Sequence, residues 1–224
     1  LLRMSDNKGN RVSSPAFFSA AERYQLMPKI DRWVVSNTLA RLAEKDDYLK
    51  SSGAIFAINL SGQSLGDDDI LNFIEEEIDR SGVPSTSICF EVTESVAVSS
   101  HNKAQTFIDA LRKRGCKFSL DDFGAGLSSF AYLKKFKVDT LKIDGGFIRD
   151  ISENQISESM VVAITQVAKV MNLSTVAEYV ETENTKNLLS KIGVDFAQGH
   201  AVGKPGPLED LLAQIGSNSQ SSLC

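Results

Sequence analysis

The 224 residues include 42% hydrophobic and 24% charged side chains, ordinary proportions for a soluble globular chain, which excludes a disordered polymer, a collagen-like repeat and a small disulfide scaffold. Against 24 Lys and Arg stand 29 Asp and Glu, a formal charge of −5, so no bulk positive field draws nucleic acid or an anionic membrane, and neither is expected as a partner of this domain. No apolar run nears the ~18 residues that span a bilayer, and three cysteines without metal-type spacing (Cys89, Cys116, Cys224) point to reduced thiols and a cytoplasmic setting.

The chain opens at Leu1-Leu2-Arg3 with neither an initiator methionine nor a signal peptide, and reads as a piece of something longer. Trp33 and the phenylalanines read as core. A first strand is expected over Ala54–Asn59. Asp67, Asp68 and Asp69 then mark a helix N-terminus, and Ile70, Ile74 and Ile78 recur at helical spacing up to a stop at Gly82. Further strands are expected at Ile88–Val92, Lys117–Leu120, Val138–Ile143, Ser174–Ala177 and Val194–Ala197. Between them lie helical stretches, one with an apolar stripe of Met160, Ile164, Val167 and Met171; Gly115 and Gly193 end two helices just before strands. Leu208, Leu211, Leu212 and Ile215 form a last amphipathic segment, and the serine-rich residues 216–224 read as a disordered tail.

Short strand, helix, short strand, repeated with tight connections, means parallel strands joined by crossovers. Strands apolar on both faces agree, since helices then cover the sheet. An open doubly wound sheet and a closed (β/α)8 barrel both fit. The lack of a glycine-rich phosphate turn after the first strand weakens the open sheet.

Polar residues gather where the strands end. AINLS places Asn59 at one exit, FEVTE places Glu91 and Glu94 at the next, and SLDDFG places Asp121 and Asp122 at a third. LKID places Lys142 and Asp144, AEYVE places Glu178 and Glu181, and AQGH places Gln198. The C-terminal ends of parallel strands open on one face, so groups distant in sequence converge there. Crowded carboxylates repel and take up protons unless cations neutralise them. Oxygen donors without a Cys or His pattern favour Mg2+ or Mn2+ over zinc, and an adjacent Asp-Asp pair suits two ions about 4 Å apart. Taken singly, an acid after a strand is more often a helix cap or turn residue. A lysine inside an apolar strand is harder to dismiss, and six such exits together depart from chance. His101 and His200 are isolated and read as surface groups or as support around the site; Arg112-Lys113-Arg114 reads as a solvated helix face.

In combination, NLS (59–61), EVTES (91–95), DDFGAGLSS (121–129), LKID (141–144), AEYVE (177–181) and QGHAVGKP (198–205) resemble the EAL-domain family of bacterial cyclic-di-GMP phosphodiesterases, over residues 1–212. The resemblance implies an α/β fold, a (β/α)8 TIM-like barrel whose antiparallel first strand is missing or truncated here, over residues 1–215. It implies Asn59, Glu91, Asp121, Asp122 and Glu178 as ligands of two divalent ions, Asp121 bridging them. Lys142 would hold the attacking water, and Lys142, Glu178 and Asp122 form the catalytic set. Arg3, Asp144, Gln198 and Pro205 are implied as substrate contacts, and Glu181 as support beside Gln198. Residues 122–129 resemble the family's mobile loop joining metal site to dimer interface, anchored by Glu94. The glutamate of the family's naming triplet would precede Leu1. Leu127 stands where an aromatic residue is usual, and His200 where a tyrosine is common. The implied activity is metal-dependent hydrolysis of cyclic di-GMP to linear pGpG by a homodimer fused to sensor or GGDEF-type domains upstream. The alternatives are a receptor that binds the dinucleotide without cleaving it, and a lyase of the same fold using Lys142 as a Schiff base.

Overall fold

A computed structural model describes residues 2–99, 101–126 and 133–218. Two compact units divide the chain: Leu1–Ile88 with Pro205–Cys224, and Cys89–Lys204.

The first unit begins with a short antiparallel hairpin, β1 (Met4–Ser5) and β2 (Arg11–Val12). Its turn is tied by Asp6, whose carboxylate accepts the N–H groups of Lys8 and Asn10, each at 2.8 Å. The helix Met27–Ala43 carries Pro at its first turn, where a missing N–H costs nothing. Its stripe of Val35, Leu39 and Leu42 is fully buried, as are Ile70 and Ile74 on the helix Ile70–Ser81 that packs against it. That helix ends where expected, with Gly82 in the left-handed conformation at φ 68°. Strand β3 covers Phe56–Asn59, two residues shorter than expected. Trp33, read from sequence as core, is 56% exposed on the outer side of its helix. The helix Leu208–Asn218 runs past residue 216, where a tail was expected to start, and residues 219–224 lie outside the described set.

The second unit is built on parallel strands: β4 (Ile88–Thr93, starting at the unit boundary), β5 (Lys117–Phe123), β6 (Thr140–Ile143), β7 (Ser174–Ala177) and β8 (Phe196–Ala197). From β5 on, each pairs in parallel with the one before it. A doubly wound sheet reverses its strand order at a switch point. This order never reverses, so the α/β fold is of the TIM-like (β/α)8 kind. Phe90 and Phe118, from paired strands, lie 5.8 Å apart between ring centroids and are wholly buried.

Two expectations in this unit need correction. The helix Gln155–Val170 buries Ser157, Val161, Ile164, Thr165 and Ala168, a stripe rotated by one residue from the expected Met160-Ile164-Val167 face. Thr165 is tolerated there because its hydroxyl donates to the Val161 carbonyl at 2.8 Å. Arg112 is no solvated bystander: it pairs with Asp139, whose carboxylate also accepts the Phe118 N–H at 2.8 Å.

Candidate active site

At the C-terminal ends of these strands the second unit brings together Glu91 from β4, Asp121 and Asp122 from β5, Lys142 from β6 and Glu178 after β7. Lys142 is 5% exposed, and its ammonium reaches Glu91 Oε2 at 3.2 Å, Asp121 Oδ1 at 2.9 Å and Glu178 Oε1 at 2.8 Å. Three carboxylates thus use the three N–H donors that the amine possesses.

Neighbours on a regular strand point to opposite faces, so Asp121 and Asp122 should not act together. The register between β5 and β6 breaks between Leu120 and Phe123, and Asp122 takes a left-handed φ of 53°. Such an irregularity inserts a residue and re-aims the side chains around it, at a backbone cost of about 1 kcal/mol. The result is that Asp121, Asp122 and Glu178 each offer a carboxylate oxygen, all within 4.8 Å of one another.

The electrostatics follow from that crowding. Burial alone would pull the Lys142 ammonium down, but Glu91, Asp121 and Glu178 outweigh it and hold the amine above its ordinary range, so it stays charged. Burial pushes Glu178 upward despite Lys142. Loss of water, then Asp121 and Asp144, push Asp122 upward as well. Four carboxylates face one ammonium, and the surplus negative charge on oxygen donors alone is a chemistry that fits hard divalent cations.

The remaining residues singled out in the sequence are distributed as follows. Glu94 accepts the Gly124 N–H at 3.1 Å, tying the start of the segment after the Asp pair; residues 127–129 of that segment lie outside the described residues. Asp144 caps the next helix by accepting the Gly146 N–H at 2.9 Å. Glu181 pairs with His200 Nδ1 at 2.9 Å in an exposed contact and makes none with Lys142. Gln198 is exposed, its backbone bonded to Ala177 and Val180. The first unit holds Asn59, exposed at the end of β3, together with exposed Arg3 and Pro205. Sequence reasoning missed Asp31, which is buried and accepts Ser61 N–H at 2.8 Å and Ser64 Oγ–H at 2.6 Å, bracing the turn after Asn59. The signal was present: Asp31 interrupts the stripe Met27, Val35, Leu39, where a charge needs a purpose.

A family model described as the EAL domain matches residues 1–205. The chain belongs to the EAL domain family. Among curated relatives, this EAL domain is 36% identical over 96% of its length to "Cyclic di-GMP phosphodiesterase PdeB" of Shewanella oneidensis, covering 25% of that protein. It is also 36% identical, again over 96% of its length, to "Cyclic di-GMP phosphodiesterase PdeF" of Escherichia coli, covering 28%. The chain therefore spans about a quarter of the length of these relatives. Of the solved structures, "PaMucR Phosphodiesterase, c-di-GMP complex" superposes with a TM-score of 0.87 at 30% identity, covering 94% of this chain and 85% of that one. Among the described residues no helix is long and apolar enough to cross a membrane.

Proposed function

We propose that this EAL domain hydrolyses cyclic di-GMP to linear pGpG with the help of two divalent ions, Mg2+ or Mn2+. The reading rests above all on the buried Lys142 ammonium held by Glu91, Asp121 and Glu178, with Asp122 alongside. The names of the relatives support the same substrate.

Asp121, Asp122, Glu178 and Glu91 of the second unit, and by family resemblance Asn59, would hold the metal. When bound, divalent ions supply Lewis-acid polarisation of the phosphoryl oxygens and a more acidic water. The protein's own groups do the rest. Lys142 is kept protonated, so it is a donor and a positive charge, suited to orienting the attacking oxygen and to stabilising charge that builds on the phosphoryl group. The same protonation disfavours the Schiff-base lyase, which needs a neutral amine. Asp122, beside Asp121 and Glu178, is assigned to take the proton released as water adds to phosphorus. The bond from phosphorus to the ribose 3′ oxygen breaks, and the phosphate stays on the 5′ side. Arg3, Asp144, Gln198 and Pro205 are assigned to substrate contact and Glu181 to support beside Gln198. Glu94 holds the loop through Gly124.

The domain acts in the cytoplasm as a homodimer within a longer signalling protein. One relative's name, "Bifunctional diguanylate cyclase/cyclic di-GMP phosphodiesterase MucR", supports fusion to a cyclase-type module.

The test is a hydrolysis assay on the full-length protein with Mg2+ or with chelator. The expected result is pGpG release only with metal, and a loss of roughly 1000-fold in Asp121→Asn and in Lys142→Ala. Tight dinucleotide binding with no cleavage in Mg2+ would instead establish the receptor.

A further inference from the structure

Immediately after Glu178 the backbone does something unusual for a bulky residue. Tyr179 takes a left-handed φ of 53°. Aromatic side chains rarely adopt that region, and strain beside a functional group is a reason to look for a task. The strain is not relieved by burial, since Tyr179 is 50% exposed.

Two further features hold the ring where it is. A Cβ at Gly145 would come within 2.1 Å of the Tyr179 ring, so only glycine there leaves the notch it occupies. The Arg149 guanidinium lies 4.1 Å from the ring centroid, in cation–π distance. Arg149 is itself exposed and makes no ion pair among the described residues. Both residues of the pair follow the C-terminal ends of neighbouring strands. Gly145–Arg149 is the short helix that follows β6 and Lys142, and Tyr179 follows β7 and Glu178. Stack and carboxylate cluster therefore share the C-terminal edge of two neighbouring strands.

We propose that the Tyr179–Arg149 pair is a guanine-binding element at the rim of the active site. The inference rests on the cyclic-di-GMP reading above and deepens it. A guanine offers a π face and two adjacent acceptors, O6 and N7. The pair offers the complement, an exposed aromatic–guanidinium stack and a fork of N–H donors without a carboxylate partner. A phosphate would be served by an arginine free of any ring; the aromatic partner and its strained backbone favour a base. The element contributes ground-state binding and base choice, and takes no part in the chemistry at phosphorus.

The experiment compares kcat and KM on cyclic di-GMP and cyclic di-AMP for wild type, Tyr179→Gly, Tyr179→Phe and Arg149→Gln. Tyr179→Gly removes the ring and suits the left-handed backbone, so its melting temperature should not fall. Its KM for cyclic di-GMP should rise roughly tenfold with kcat within about twofold, the range expected for one lost base stack. Tyr179→Phe should keep the wild-type KM. Arg149→Gln should narrow the preference for cyclic di-GMP over cyclic di-AMP, because a glutamine amide reads adenine as readily as guanine. An unchanged KM in Tyr179→Gly, or a fall in kcat at constant KM, would overturn the proposal; so would unaltered base preference in Arg149→Gln. A wild-type protein that cleaves neither dinucleotide would fail the function reading itself, a distinct outcome from wild-type turnover that is indifferent to these substitutions.

Discussion

Aspartates occupy both edges of the parallel sheet, and the two edges use them in opposite ways. At the N-terminal edge, Asp139 pairs with Arg112 and accepts the Phe118 N–H, while Asp195 accepts both the N–H and the hydroxyl of Thr175 at 2.8 Å. Each ties a strand to its neighbour, and each has its charge answered by protein donors. At the C-terminal edge, Asp121 and Glu178 share one ammonium with Asp122 alongside them, and two of these three acids are pushed toward the protonated form. Identical chemistry is spent on cohesion at one edge and held under repulsion at the other, the division expected of a sheet whose chemistry sits at its strand C-termini.

The sharpest way to break this comparison is Lys142→Met. It removes the one positive charge from a buried acidic cluster and should cost about 3–5 kcal/mol in stability as well as all turnover. Chemical denaturation and the hydrolysis assay check both, and a variant of unchanged stability would mean the cluster is better hydrated than its exposure implies. Next is Asp195→Ala at the other edge. It leaves the N–H and hydroxyl of Thr175, which is 1% exposed, without their acceptor, and should cost about 1–3 kcal/mol while leaving the metal affinity as it was. Calorimetric Mg2+ titration of the variant would contradict the division if affinity fell with stability.

The smallest effect is a pH dependence. Raised carboxyl pKa values at Asp122 and Glu178 mean that these groups favour the folded state in acid, and that this contribution is lost as pH rises through their folded pKa values. Metal requires the ionised forms, so bound Mg2+ restores stability where the protons have left. The rise in melting temperature given by saturating Mg2+ should therefore be greater at pH 7.5 than at pH 5. Asp122→Asn, which suits a left-handed backbone, should melt roughly 2 °C higher than wild type without metal and gain less from Mg2+. Equal gains at the two pH values would remove the electrostatic account of this edge.

Much of this was legible in the sequence because strand exits share a face: Glu91, Asp121, Lys142 and Glu178 could be placed together without coordinates. What pattern could not supply was the irregularity at Asp121-Asp122, since alternation alone sends those side chains apart and only the register with β6 shows otherwise. The helix Gln155–Val170 was misread in phase because it has two apolar stripes one residue apart, and small polar residues, Ser157 and Thr165, sit on the buried one. Trp33 was misread because size and apolarity bias a guess toward the interior, while a tryptophan on an outer helix face breaks no rule. Asp31 was overlooked because its partners, Ser61 and Ser64, lie some 30 residues away.

Because each strand from β5 to β8 lies beside its predecessor, partners in the register are separated by only roughly 20 to 35 residues of chain. During synthesis a strand leaving the ribosome finds the edge it needs already made, and the sheet can grow in the direction of translation without waiting for a distant segment. The residues that meet in the cluster would then assemble in order, with Glu91 first and Glu178 last, so a nascent chain halted before β7 carries Lys142 with two of its three carboxylate contacts.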